Sequence, residues 1–510
     1  MVERVMTAYA ALMPLSQTPV GGAFAGRDIV ELDAVSLSQA IATRALSCVE
    51  LLQAFLAQIE RLNPQVNAIV APLPTEGLLA QARALDAELA RGRWRGPLHG
   101  FVQAPKDIMP AAGMVTTRGS PIFAGQVSAS DAVVFERMRA GGAVFIGRSN
   151  SPEFGLGGHT YNPVYGTTRN AFEPTRTAGG SSGGAAVAVA LRMLPVADGS
   201  DMMGSLRTPA AFNNVYGFRT SFGLVPHGPA EEVFAQQFSV AGPMARNIPD
   251  LALLLGVQAG FDARLPLTRR SEAPGRFALP PPRDWRGVRI GWLGDLNGQL
   301  PMEAGLLQTC SGALAHFEAM GCQVQAVTPA FDLERLWRAW IDLRSFSVSG
   351  ANAALAADAA TRALLKPEAL WEIERGLKLT GPQLYEAMKV RSAWYQCLRE
   401  LFERVDFLVL PATQVFPFDA GLDWPRAIDG REMDSYHRWM QAVVPATMAG
   451  LPALAAPAGF GPQGLPAGIQ IIGPVQADAA VLQIGHAYDQ ASGHSRVRSP
   501  LLTPSTPPFA

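Results

Sequence analysis

One window constrains this chain more than any other: TAGGSSGGAAVAVALRMLPVADGSDMMGSLRTPAA, residues 177–211, which holds six glycines, four serines and a run of small apolar residues. A Gly/Ser-rich segment by itself reads as a flexible linker. The run AAVAVALRMLPVA beside it argues for the opposite, because small apolar residues in series belong in a tightly packed interior, where glycines let backbones approach. The serines therefore sit in a protected place. A phosphate cradle would use such glycines, but Gly183-Gly184 leads into Ala185-Ala186 rather than into the Lys-Ser/Thr of a P-loop. A nucleophilic site is the third reading, with glycines exposing N–H donors to an oxyanion while a serine attacks a carbonyl. Such a site needs a base. No histidine falls inside the window, so a serine–histidine arrangement would have to be assembled from afar. Lys106, in the apolar, Pro-punctuated stretch PLHGFVQAPKDIM, is the alternative, since desolvation would lower its pKa and supply a neutral amine.

The rest of the chain is α/β in pattern. VSLSQAIATRALSCVELLQAFLAQIERLN has helical spacing, with Ser36 or Ser38 as N-cap and Asn63-Pro64 as the stop. TEGLLAQARALDAELARG predicts a helix ending at Gly92, and DAVVFERMRAGGAVFIGRSN a helix, a turn and a short buried strand. Residues 303–320 and 381–404 read as helices, and WRGVRIGWLGDL, VDFLVLPAT and PAGIQIIG as strands. Helices alternating with strands predict one large α/β domain whose sheet is covered by helices on both faces. It spans residues 30–490, between an N-terminal extension (1–29) and an extended C-terminal tail (491–510), with a Pro-rich excursion near 266–285.

Charge narrows the function classes. With 42 basic and 43 acidic residues, no global field favours nucleic acid or an anionic membrane. The four cysteines and seven histidines are scattered without metal-ligand spacing, so neither a disulfide framework, a metal nor a cofactor is expected. No stretch is long and apolar enough for a transmembrane helix. Near the N-terminus, Ala23-Phe24-Ala25 loosely resembles a cleavage site, yet Glu3 offsets Arg4 and Pro14 interrupts the apolar run. The expected location is cytoplasmic.

APKDI, AGGSSGGAA and GSDMMGSLRTPAA, in this order, resemble the amidase signature family of serine amidohydrolases. The resemblance extends through NPVYGTTRNAFEPTRT, VYGFRTSFGLVP, AGPMARN and AGLPALAAPAGFGPQGLPAGIQIIG, over about residues 30 to 490. It implies the family fold with a central mixed β-sheet, and a Ser, cis-Ser, Lys triad of Ser205 as nucleophile, Ser181 as the cis serine and Lys106 as base. It also implies an oxyanion hole of the backbone N–H groups of Met202, Met203, Gly204 and Ser205, braced by Ser182, Asp201 and Arg207. A pocket from Gly155 to Tyr161 follows by family position, with Gly155, Leu156, His159 and Tyr161 as candidates. The implied partner is a small-molecule amide, and a homodimer is a further expectation. Met203 departs from the family's usual Gly-Gly-Ser before the attacking hydroxyl: it is strained if its position needs a positive φ, and it narrows the acyl site if it faces the pocket. Ser200 stands where threonine is usual, Pro105 where valine is frequent, and Ala178 where proline is common. Two further readings share this resemblance: a glutamine-dependent amidotransferase A-type subunit, from whose tyrosine-rich helical segment LTGPQLYEAMKVRSAWY departs, and a non-catalytic amidase-like scaffold with Met203 closing the hole.

Overall fold

The helical pattern near the start resolves into two helices, each begun by a polar cap. Asp33 accepts from the Ser36 N–H to open α1 (Ala34–Ala42). Ser47 and Glu50 then cap reciprocally, side chain to backbone N–H in both directions, to open α2 (Cys48–Val66). The caps are thus Asp33 and Ser47, and Ser36 and Ser38 lie inside α1. Asn63-Pro64 does not end the second helix. One missing N–H in a last turn is tolerated, and the stop comes at Asn67 in the left-handed region. The Asn63 side chain meanwhile accepts from the N–H groups of Ala68 and Ile69, fixing the exit. Helices α3 (Thr75–Ala90) and α4 (Val133–Ala140) follow.

This computed structural model describes residues 26–235, 237–270, 277 and 283–503. Most of the expected N-terminal extension and of the Pro-rich excursion lies outside the described residues. The sequence reads residues 491–510 as extended, but the described part forms 3-10 turns at His494–Arg496 and Pro500–Leu502. The buried Ser499 hydroxyl there donates to the Ala171 carbonyl at 2.5 Å.

An eight-stranded sheet organises the molecule. Its strands are β1 (Ala197–Asp201), β2 (Tyr216–Arg219), β3 (Val240–Ala245), β4 (Arg289–Trp292), β5 (Gln323–Ala326), β6 (Phe407–Pro411), β7 (Ala453–Phe460) and β8 (Pro466–Ile472). Their spatial order is β5-β4-β6-β8-β7-β2-β3-β1, with β4 parallel to β5 and β6 and every other pairing antiparallel. The sheet is mixed and helices cover both faces. Leu454 on β7 points at Gly485 of α11 (Asp478–Ser492), whereas its neighbour Ala455 is in register with Gln470 and Gly217, on the face taken by α6 (Arg207–Phe212). Between these elements come α5 (Gly183–Ala190) and α7 (Ile248–Gln258).

Only one helix of a second layer was legible from periodicity. Helix α8 (Leu333–Ala357) packs against α9 (Pro367–Gly376) and α10 (Gly381–Leu401). It buries Arg344, Ser345 and Ser349 alongside Trp337 and Trp340, so its polar and apolar residues do not segregate into a clean stripe.

Candidate active site

Lys106 emerges from the short buried strand Val102–Gln103 and is bridged in parallel to Ser149. Its side chain is wholly buried, and Nζ donates to Ser181 Oγ at 2.7 Å, Ser182 Oγ at 2.9 Å and Ser200 Oγ at 3.0 Å. Burial brings its pKa down to about 7, against the opposing pull of Asp198 and Asp201. Three hydroxyls serve both protonation states: an ammonium donates to all three, and an amine donates to two while its lone pair accepts from the third.

Ser181 follows a cis Gly180-Ser181 peptide, directly before α5. The N-terminal end of α5 lies close to β1 because Gly199 has no side chain; a Cβ there would fall 2.8 Å from Ser182 Oγ and 2.6 Å from a Leu206 methyl. Ser182 donates in turn to the Ser200 carbonyl at 3.3 Å. Ser200, which the sequence marked only as a departure from threonine, is therefore a direct partner of the lysine. Ser205 sits beyond the end of β1, and its carbonyl accepts from the Ser182 N–H at 3.2 Å.

The turn carrying Ser205 is held by Asp201. Its carboxylate accepts from Arg207 at 3.0 Å through both Nε and Nη2, from Arg219 at 3.2 Å, and from the backbone N–H of Gly204 at 2.9 Å and of Leu206 at 3.3 Å. Burial alone would raise the Asp201 pKa, but the two guanidinium groups hold it well below the usual carboxylate range. This corrects one expectation. The Gly204 N–H is taken by a carboxylate and is not free for an oxyanion, whereas the N–H groups of Met202, Met203 and Ser205 find no acceptor among the described residues. The positive φ of the turn, 78°, falls on Gly204 and not on Met203, so Met203 is unstrained.

Ser181 and Ser205 open into a cavity of about 90 Å³. Of the expected pocket residues, Gly155 and Leu156 line it, and Gly155 approaches Ser181 closely, its absent Cβ lying 3.4 Å from Oγ. His159 and Tyr161 do not. The buried His159 ring accepts from the Thr177 hydroxyl at 2.6 Å through Nδ1, leaving Nε2–H to donate to the Ala420 carbonyl at 3.1 Å, and burial lowers its pKa to about 4. Tyr161 packs against that ring. Met203 does face the cavity, its sulfur accepting from Trp340 Nε1 at 3.3 Å. His227 also lines it, and Met440 and Arg344 complete parts of the wall from segments distant in sequence, with no local signal to find them. Among the described residues there is no cluster of metal ligands, and no helix is long and apolar enough to cross a membrane.

A family model described as Amidase matches residues 50–482. The chain belongs to the Amidase family. Amidase signature enzymes act on carbon–nitrogen bonds. This Amidase-family chain is 35% identical over 487 residues to the A-type subunit of the glutamyl-tRNA(Gln) amidotransferase of Methylococcus capsulatus, covering 90% of this chain and 97% of that one. Its fold is similar to that of a bacterial aryl acylamidase (TM-score 0.85, 28% identity, 91% and 98% of the two chains). It is also similar to the A-type subunit of the glutamyl-tRNA(Gln) amidotransferase of Thermotoga maritima (TM-score 0.74, 25% identity, 91% and 95%).

Proposed function

We propose that this chain hydrolyses a small carboxylic amide to an acid and ammonia or an amine through an acyl-enzyme on Ser205. The observation that carries the reading is the buried Lys106 amine, 2.7 Å from Ser181 Oγ, with Ser181 and Ser205 sharing one cavity. Neutral Lys106 takes the Ser181 proton as Ser181 takes that of Ser205, and the Ser205 oxygen bonds to the carbonyl carbon. The oxyanion is received by the free N–H groups of Met202, Met203 and Ser205. The relay then returns the proton to the leaving nitrogen, the C–N bond breaks, and water releases the acid by the same route. Ser182 and Ser200 hold the amine in place, and Asp201 with Arg207 shapes the turn.

The deciding experiment is intact mass after fluorophosphonate treatment, with peptide mapping. One adduct on Ser205, absent from Ser205→Ala, is the expected result. An unlabelled wild type favours the scaffold reading, in which Met203 closes the site. A second enzymatic reading, an amidotransferase A-type subunit, is favoured by the 35% identity to one such protein. The higher TM-score to an aryl acylamidase supports the hydrolase over it. Glutaminase activity that rises on adding the partner subunits of such a complex would reverse that order.

A further inference from the structure

Arg344, on α8, is 3% exposed and forms part of the wall of the cavity that holds Ser205. Two sides of its guanidinium are fixed. Nε donates to Glu372 at 2.6 Å and Nη2 to the Tyr436 hydroxyl at 3.0 Å. Glu372 is itself immobilised by the Ser345 hydroxyl at 2.8 Å, the Tyr436 hydroxyl at 2.8 Å and Nε2 of His437 at 3.0 Å. The third side, Nη1, meets only the Met202 thioether at 3.6 Å, a weak acceptor. A buried guanidinium group with a poorly satisfied donor at a cavity wall is costly unless something else completes it. Met202 also places that donor beside the turn that carries the nucleophile.

Charge balance selects what completes it. Glu372 offsets Arg344 one for one, so a carboxylate brought to Nη1 would be desolvated against a cation that is already paired. A neutral carbonyl oxygen accepts the same hydrogen bond without that cost. We infer that Arg344 is a specificity-determining residue whose Nη1 binds an uncharged carbonyl oxygen carried by the amide substrate in addition to the one that is cleaved. This rests on the hydrolase reading above. It defines the substrate class as amides bearing a second neutral carbonyl, such as acylamino, keto or ester groups.

The test uses pairs of amides that differ only by a carbonyl in place of a methylene, moved along the acyl chain and then along the amine, together with the matching carboxylates. The wild type is expected to favour one carbonyl-bearing amide by about tenfold in kcat/KM over its methylene partner. In Arg344→Lys that ratio falls to about two or less, while Ser205 still takes the fluorophosphonate. Because Arg344→Lys can leave Glu372 poorly paired, the double variant Arg344→Met/Glu372→Gln, which leaves no orphan charge, is measured beside it and is expected to lose the same preference. A ratio near one at every position in a wild type that labels and hydrolyses amides overturns this inference alone. So does a ratio that survives both variants, or a preference for the carboxylates. A wild type that neither labels at Ser205 nor hydrolyses any amide overturns the hydrolase reading, and this inference with it.

Discussion

To act as the proposed base Lys106 has to be neutral, and burial is what makes it so near neutrality, with a pKa of about 7. The expected pH profile of kcat/KM is therefore a rise through pH 7 to a plateau above about pH 8. The acid limb is softened because Asp198, raised to about 6 by burial, protonates as the pH falls and withdraws a charge that favours the ammonium. The same depression makes the lysine a stability cost. Between the folded pKa near 7 and the unfolded value of about 10.4 the unfolded chain binds more protons, so stability gains from this group as pH rises through that window and lacks that gain below it. Thermal melts of Lys106→Met are expected to show a higher Tm than wild type at pH 6, with the gap closing towards pH 10. Met203 sits at the same scale: its buried side chain narrows the cavity. Met203→Gly is expected to admit bulkier acyl groups in a chain-length panel, at a cost of about 3 kcal/mol or more in denaturant unfolding.

At the scale of elements, the proposed catalytic arrangement depends on how closely β1 approaches the start of α5. Gly199 is the point of contact, and a methyl group there overlaps both Ser182 Oγ and Leu206. Gly199→Ala is expected to slow fluorophosphonate labelling of Ser205 by about tenfold or more while circular dichroism stays close to wild type, since the added atom moves the hydroxyls and not the fold. Elements whose signals are local were readable in the sequence: the helix ending near Gly92, the strands of VDFLVLPAT and PAGIQIIG, and α10 all lie where periodicity placed them. The cap of α1 was misplaced because Ser36, Ser38 and Asp33 offer similar side-chain acceptors, and which one caps depends on where the chain turns. Helix α8 gave no clean pattern because its inward face carries an arginine and serines that only partners on other elements satisfy.

Across the whole molecule, Asp201 is the junction. Arg207 joins it to the Val443 carbonyl at 2.9 Å, Thr447 Oγ1 at 2.9 Å and Gln470 Oε1 at 2.7 Å, so a single buried ion cluster ties the turn that carries Ser205 to β8 and to the helix Val444–Ala449. Asp201→Asn leaves two buried guanidinium groups without their carboxylate and is expected to lose about 3–5 kcal/mol in denaturant unfolding, with labelling of Ser205 reduced in parallel. The sequence by itself determined the α/β architecture and the family, and through the family resemblance it named the three side chains of the proposed relay, including Lys106, 75 residues before Ser181. It did not determine the shape of the cavity. His159 and Tyr161 lie close to the motif in the chain yet turn away from the cavity into hydrogen bonds and ring contacts with the body of the protein. Arg344 and Met440 come from remote segments to line it. Proximity along the chain fixes short-range chemistry, but a cavity wall is assembled by whichever surfaces the packing of sheet and helices brings face to face, and only the tertiary structure decides that.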